Sequence, residues 1–198
     1  KTSVYYLLNA RQSTPEKRAE HLQRIERQVS TADGVITALN DFARLPIPSL
    51  ERMAIETCLR DILESTSLPE NVVVHIDVPS SVPDLLGDAG QLKIVFANLI
   101  RNAREAMPAG GNLNLSAKKT DGDQVEVFVA DTGVGIKPED LDRVMEPLYS
   151  TKARGIGLGL AITRAIVEKH LGRLRVTSEQ GNGTQFVVTL PAAPDVAK

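Results

Sequence analysis

The sequence predicts an α+β protein: an antiparallel helical hairpin followed by a two-layer α/β sandwich, one mixed sheet with helices on one face. Three observations carry that prediction. Leu22, Ile25, Val29, Ala32, Ile36, Leu39 and Ala43 recur at alternating spacings of three and four, a heptad seam along one helix of about 45 Å. Pro46 and Pro48 then interrupt the chain; each removes a backbone donor and pushes its predecessor out of helix. Beyond them, stretches with a period of two, grouped in hairpins, alternate with stretches of helical period.

Taken in order, residues 1–10 read as the end of a helix, with Val4, Leu7 and Leu8 on one side. Thr14 stands before Pro15, an N-cap ahead of a proline whose missing N–H costs nothing at the first helical position. The heptad helix follows, with Arg24, Glu26, Arg27, Gln28 and Asp33 between its seam positions. One such hairpin buries part of its seam, so a second copy is its natural partner. The chain thus divides into a partial dimerisation hairpin at 1–45, a proline-rich linker at 46–50, a main domain at 51–191 and a flexible tail at 192–198. In the main domain the patterns predict a helix over 52–64, a strand over 72–78, a short edge piece over 85–87 and a long helix over 88–107. Strands over 112–119 and 124–130 follow, then a short helix over 138–144 and a helix over 157–171 capped by Gly172. A hairpin of 173–178 and 184–190 closes the domain.

Composition limits the function classes. Of 198 residues, 42% are hydrophobic, enough for a core and too many for wholesale disorder. The net charge of −2 argues against nucleic acid as the main ligand, which draws a cationic excess. Cys58 is the single cysteine, so no intrachain disulfide forms and a reducing cytosol fits. It reads as a small core residue. His21, His75 and His170 are scattered without metal-ligand spacing. His75 falls in a strand and reads as structural; His170 falls in a last helical turn, where it suits the helix dipole. No apolar run approaches the length that spans a bilayer, so no membrane contact is expected from this segment. Without an initiator Met or a signal pattern, the chain reads as a piece of a longer protein. A cytoplasmic, bacterial setting is expected, with room for a membrane anchor elsewhere in the parent.

Three clusters stand out for chemistry. Asn98 and Asn102 lie four apart inside the long helix, on one face; two solvated amides are the plain alternative. Asp131, Gly133 and Gly135 follow a strand directly. Glycines there let a backbone pass close to a ligand, and the aspartate can accept a hydrogen bond from an amino group; a simple turn is the alternative. Gly155, Gly157 and Gly159 open a helix, where free N–H groups bind phosphate; close helix packing is the alternative. Neither the dinucleotide fingerprint nor the P-loop pattern is present.

In this order, Asn-x-x-x-Asn, Asp-x-Gly-x-Gly and Gly-x-Gly-x-Gly-Leu resemble the N, G1 and G2 boxes of the histidine-kinase ATP-binding domain. That domain has the Bergerat fold shared with gyrase, the ninety-kilodalton heat-shock chaperone and MutL. Met145-Glu146-Pro147-Leu148-Tyr149-Ser150-Thr151-Lys152 resembles the family's F box and lid start, and Gly181-x-Gly183-Thr184-x-Phe186 its final hairpin. The resemblance covers essentially all of residues 50–191. It implies ATP and Mg²⁺ as cofactors. Asp131 would read the adenine amino group with Thr184 nearby, and Gly133 and Gly135 would let the backbone pass the base. Asn102 would ligate Mg²⁺ with Asn98 beside the phosphates. Gly155, Gly157, Leu158 and Gly159 would meet the phosphates, and Lys152 and Arg154 would reach the γ-phosphate. Asn98, Asn102 and Lys152 are the residues implied in catalysis. Residues 137–154 would form a lid that is mobile without nucleotide.

The implied activity is histidine phosphotransfer in a two-component system, by a homodimer that relays phosphate to a response-regulator receiver domain. Relatives that hydrolyse ATP carry a glutamate where this chain has Asn98, and an amide cannot take a proton from water. The family's acceptor histidine, in a His-Glu/Asp-x-x-x-Pro pattern, falls before residue 1, so this chain is expected not to phosphorylate itself. His21 precedes Leu22 and Gln23 and lacks that pattern. Two alternatives stand: a serine/threonine kinase of the same fold acting as an anti-sigma factor, and a non-catalytic dimerising ATP-binding module. The long heptad helix argues against the first and the intact boxes against the second.

Overall fold

Two helices, α1 (Thr2–Asn9) and α2 (Pro15–Ala43), make up the first of two units, Lys1–Leu45 and Pro46–Lys198. The structure, a computed structural model, describes residues 2–9, 14–43, 45–120, 122–152 and 156–194, with the backbone alone at 2, 30, 31, 33–35, 37–39 and 41–43. Thr14 starts α2 as its pattern requires. Its Oγ1 accepts from Lys17 N at 3.4 Å and its carbonyl from Arg18 N at 3.0 Å. The two helices meet where the Tyr6 ring stacks on His21, centroids 4.3 Å apart. Along the seam Leu22, Val29 and Ile36 are 57%, 54% and 58% exposed; the side chains of Leu39 and Ala43 lie outside the described residues.

The second unit opens with β1 (Glu51–Met53), α3 (Ile55–Ser65), β2 (Val72–Asp77), β3 (Leu85–Gly87) and α4 (Ala89–Ala106). It continues through β4 (Gly111–Thr120), β5 (Gln124–Asp131), α5 (Pro138–Leu141), α6 (Gly159–Lys169), β6 (Arg173–Glu179) and β7 (Gly183–Pro191). The main sheet has the order β2-β4-β5-β7-β6. It is mixed: β2 runs parallel to β4 and every other pair is antiparallel. Alternation sets its buried face. Leu113, Leu115 and Ala117 of β4, Val125, Val127 and Val129 of β5, and Phe186, Val188 and Leu190 of β7 are all buried, every second residue of each strand. The helices supply the opposing stripe: Leu92, Val95, Phe96, Leu99, Ile100 and Ala103 of α4, with Ile55, Leu59 and Ile62 of α3 and Ile166 and Val167 of α6. Each large side chain fully buried in this layer contributes about 1.5–3 kcal/mol.

Several expectations are corrected. Residues 51–53 are a strand paired antiparallel with β3, so the helix expected from 52 starts at Ile55. The 46–50 segment is fastened to the second unit: Ser49 N donates to Asp88 Oδ2 at 3.1 Å, and Pro46 O accepts from Gln91 Nε2 at 3.3 Å. The tail is fixed at its start, because Ala193 is buried and its N–H donates to Asp84 O at 2.7 Å. The helix expected over 157–171 spans Gly159–Lys169. Leu171, not Gly172, takes the left-handed backbone after it, with φ 57°. His75 is exposed on the edge strand β2. His170 is 1% exposed and serves as a buried bracket instead of a solvated dipole partner. Its Nδ1 lies 2.8 Å from Ile166 O, and its Nε2 accepts from Asp88 N at 3.0 Å. A neutral imidazole protonated on Nδ1 meets both bonds, so the end of α6 is joined to the start of α4.

Candidate functional site

The face of α4 that does not enter the core carries the site. Helical spacing puts Asn98 and Asn102 one above the other, with Glu105 one turn further. Asn98 is 6% exposed and its amide is engaged at both ends. Nδ2 donates to Gly159 O at 3.3 Å and to Thr163 Oγ1 at 3.4 Å, while Oδ1 accepts from the Arg101 guanidinium. This side chain therefore clamps the first turn of α6 onto α4. Asn102 is half-buried; its Oδ1 accepts from Lys152 Nζ at 3.3 Å. The same ammonium pairs with Glu105 Oε2.

Alternation along β5 places Asp131 in the inward row after Val125, Val127 and Val129, opposite Thr184 of β7. Its carboxylate is buried where apolar residues precede it. Oδ1 accepts from Gly133 N at 2.9 Å. Burial pushes the carboxyl above the ordinary aspartate range, while the Gly133 and Thr184 N–H groups and the Lys152 charge pull the other way. The loop beyond is held at both sides. Val134 N donates to Ala106 O at 3.0 Å, at the end of α4, and Ile136 N donates to Ser178 Oγ at 2.8 Å. Ser178 Oγ also lies 2.9 Å from Thr184 Oγ1. Gly135 has φ 67°, and a Cβ there would lie 2.1 Å from Glu179 O, so this turn accepts glycine alone.

A second glycine turn leads into α6. Gly157 has φ 73°, a Cβ there would lie 2.4 Å from Tyr149 O, and its carbonyl accepts from Leu148 N at 2.9 Å. Leu158 is 2% exposed, which makes its side chain a core group. The first intrahelical bond is Ile162 N to Leu158 O at 2.9 Å, so the N–H groups of residues 159–161 have no intrahelical partner. They lie beside Asn98 through Gly159.

The structure thus joins Asn98 to Gly159 and Asn102 to Lys152 along one helix, with Gly157 in the turn that leads to Gly159, and fastens the Asp131–Gly133–Gly135 loop to the end of the same helix, with Thr184 beside it. Arg154 and Gly155 lie outside the described residues. Sequence reasoning missed Arg101, Glu105, Thr163 and Ser178. Glu105 alone had a legible signal, its spacing of three from Asn102. As to metals, no cluster of three His, Cys, Asp or Glu occurs among the described residues. Asn102 Oδ1 already accepts from a cationic group, and an amide oxygen suits a hard cation that brings other oxygen ligands with it.

The chain is similar to known proteins over most of its length. The family described as histidine kinase-, DNA gyrase B- and HSP90-like ATPase matches residues 87–194. Sporulation kinase C of Bacillus subtilis (strain 168) is 32% identical over 198 residues, 98% of this chain and 46% of that protein. Sporulation kinase E of the same strain is 35% identical over 170 residues, 84% of this chain and 23% of that protein. The chain spans less than half the length of these relatives. Among solved structures, full-length ShkA in complex with AMPPNP superposes with a TM-score of 0.75 at 29% identity, over 98% of this chain and 43% of that one.

Proposed function

Since the chain belongs to the histidine kinase-, DNA gyrase B- and HSP90-like ATPase family and carries a catalytic domain of the sensor histidine kinase type, we propose that it binds Mg-ATP between α4 and α6 and transfers the γ-phosphate. The acceptor is a histidine on a dimerisation helix, and the phosphate passes on to an aspartate of a response-regulator receiver domain. The observation that supports this most is the bond from Asn98 to Gly159 O, which puts the amide-bearing helix and the glycine-opened helix on one site.

In this reading the carboxylate of Asp131 accepts from the adenine amino group, with Thr184 alongside. Gly133 and Gly135 admit the base, since a side chain at Gly135 would strike the backbone of Glu179. The N–H groups at Gly157 and Gly159 and the start of α6 receive the phosphates. Asn98 keeps those N–H groups in place by holding α6. Its amide cannot deprotonate water, whereas an imidazole nucleophile attacks without prior deprotonation, so transfer to histidine is favoured over hydrolysis. Asn102 is the residue that would hold Mg²⁺, which when bound neutralises phosphate charge. Lys152 follows the γ-phosphate. Positioning and charge neutralisation are what phosphoryl transfer asks of a protein.

The hairpin forms the dimer, and the chain works in the cytoplasm. No helix among the described residues is long and apolar enough to cross a membrane. His21 and His75 precede leucine and isoleucine, and His170 precedes leucine. None has an acidic neighbour after it, so the chain binds ATP without labelling itself. The test supplies radiolabelled Mg-ATP, with and without a helical hairpin that carries an acceptor histidine. Acid-labile phosphate on the added acceptor and none on the chain is expected. Absence of nucleotide binding, or release of inorganic phosphate alone, overturns the proposal; label on the chain itself would assign His21 as acceptor.

A further inference from the structure

Lys152 Nζ stands between two oxygens of α4: Asn102 Oδ1 at 3.3 Å and Glu105 Oε2 in direct contact. The two residues are three apart on one helix face, so their oxygens are neighbours by the geometry of the helix. One amide oxygen and one carboxylate oxygen around a single positive charge is also the donor chemistry of a hard divalent cation, which completes its shell with water and phosphate oxygens. The ammonium is easily given up. The Lys152 and Glu105 side chains are 44% and 39% exposed, and a pair that open to solvent is worth no more than about 1 kcal/mol.

We propose that Glu105 is a second oxygen donor to the divalent cation that accompanies the nucleotide, directly or through one of its waters, and that this cation and the Lys152 ammonium exchange at the same place. This rests on the nucleotide reading of the site. The arriving cation displaces the lysine from Glu105 and Asn102, and the freed ammonium becomes available to the terminal phosphate. Glu105 therefore has two duties. It holds Lys152 within reach of the site, and it makes lysine release conditional on the metal. Lys152 also acts on Asp131 electrostatically, so the exchange is felt at the base end of the site.

The two duties give opposite signs in one variant. Mn²⁺ is titrated into the chain saturated with ADP, followed by electron paramagnetic resonance, and ADP is titrated calorimetrically in EDTA. With Glu105→Gln, Mn²⁺ binding is expected to weaken by about ten-fold, the size of effect seen when a supporting metal partner is lost. In EDTA the same variant is expected to bind ADP more tightly, because a carboxylate facing the phosphates is gone and Lys152 is free. Glu105→Asp, which keeps the charge on a shorter stem, recovers part of the Mn²⁺ affinity. Unchanged Mn²⁺ affinity overturns the proposal. So does weakening in both buffers, which would make Glu105 a structural residue. If the unaltered chain binds no ADP in either buffer, the nucleotide reading itself falls, an outcome distinct from the other two.

Discussion

At the scale of single residues, the proposed role of Asp131 works against stability. Its carboxyl is raised above the ordinary range chiefly by burial, so ionisation costs the folded state. For such a group the native advantage is complete below the unfolded value and is lost as pH rises through the folded one. Asp131→Asn keeps an oxygen for the Gly133 N–H and carries no charge. The variant is expected to be at least as stable as the parent at neutral pH. Denaturant melts between pH 4 and 8 should show the parent losing ground to the variant as pH rises. Adenine-nucleotide affinity should fall about ten- to a hundred-fold, the worth of a hydrogen bond to a charged group, because an amide N–H₂ now faces an amino group. Cys58 is the opposite case, a group with packing and no chemistry. It is 3% exposed, and burial pushes its thiol up to about 11. A thiol reagent should leave it unmodified until denaturant unfolds the second unit; modification at the rate of a free thiol in native buffer would refute that. The tight turns at Gly135 and Gly157 were legible because glycine marks backbone that a side chain would not allow. Arg101 and Thr163 were not, since an arginine or threonine on a helix has no sequence mark that distinguishes a site partner from a solvated side chain.

At the scale of elements, the ends were harder to read than the middles. The long helix announces itself through Leu92, Val95, Phe96, Leu99 and Ala103, and the strands through their alternation. By contrast, β1 is Glu51-Arg52-Met53, three residues with no periodicity, held as a strand by pairing with β3 thirty-odd residues on. The end of α6 misled for a physical reason. A glycine invites the left-handed position, yet here Leu171 occupies it at φ 57° while 81% exposed. Leu171→Asn should therefore raise stability by about 1 kcal/mol, since asparagine tolerates this backbone and leucine does not. A lower midpoint in a urea melt would show that the leucine is held there by contacts. The start of α4 is the complementary case. Asp88 Oδ1 accepts from Gln91 N at 3.0 Å, and that bond, opposed in part by burial, with help from the Ser49 and Gly90 N–H groups, lowers its carboxyl. A lowered carboxylate stabilises above its unfolded range and loses that contribution as pH falls through the folded value. Asp88→Ala should cost about 1–2 kcal/mol as a lost cap, with the deficit shrinking under acid.

At the scale of the whole molecule, the two units divide the work. Every described residue of the proposed nucleotide site lies within Pro46–Lys198, while the apolar seam lies within Lys1–Leu45. Leu22, Val29 and Ile36 are more than half exposed, and an exposed heptad seam is covered most economically by the same seam of a second copy about a two-fold axis. Burying each such side chain contributes about 1.5–3 kcal/mol, twice over in a symmetric pair, which suffices for association at micromolar concentrations. A charge in the middle of that seam would have to be buried without a partner, at a cost of several kcal/mol. Val29→Glu is therefore expected to convert a dimer of the 21.4 kDa chain into a monomer in sedimentation equilibrium. Its affinity for Mg-ADP should stay that of the parent, because the seam and the site share no residue. A parent that sediments as a monomer at about 100 μM, well above the expected dissociation constant, would remove the dimer. A variant that loses nucleotide affinity together with its partner would show that the two units are energetically coupled, and that assembly of the hairpin helps to form the site.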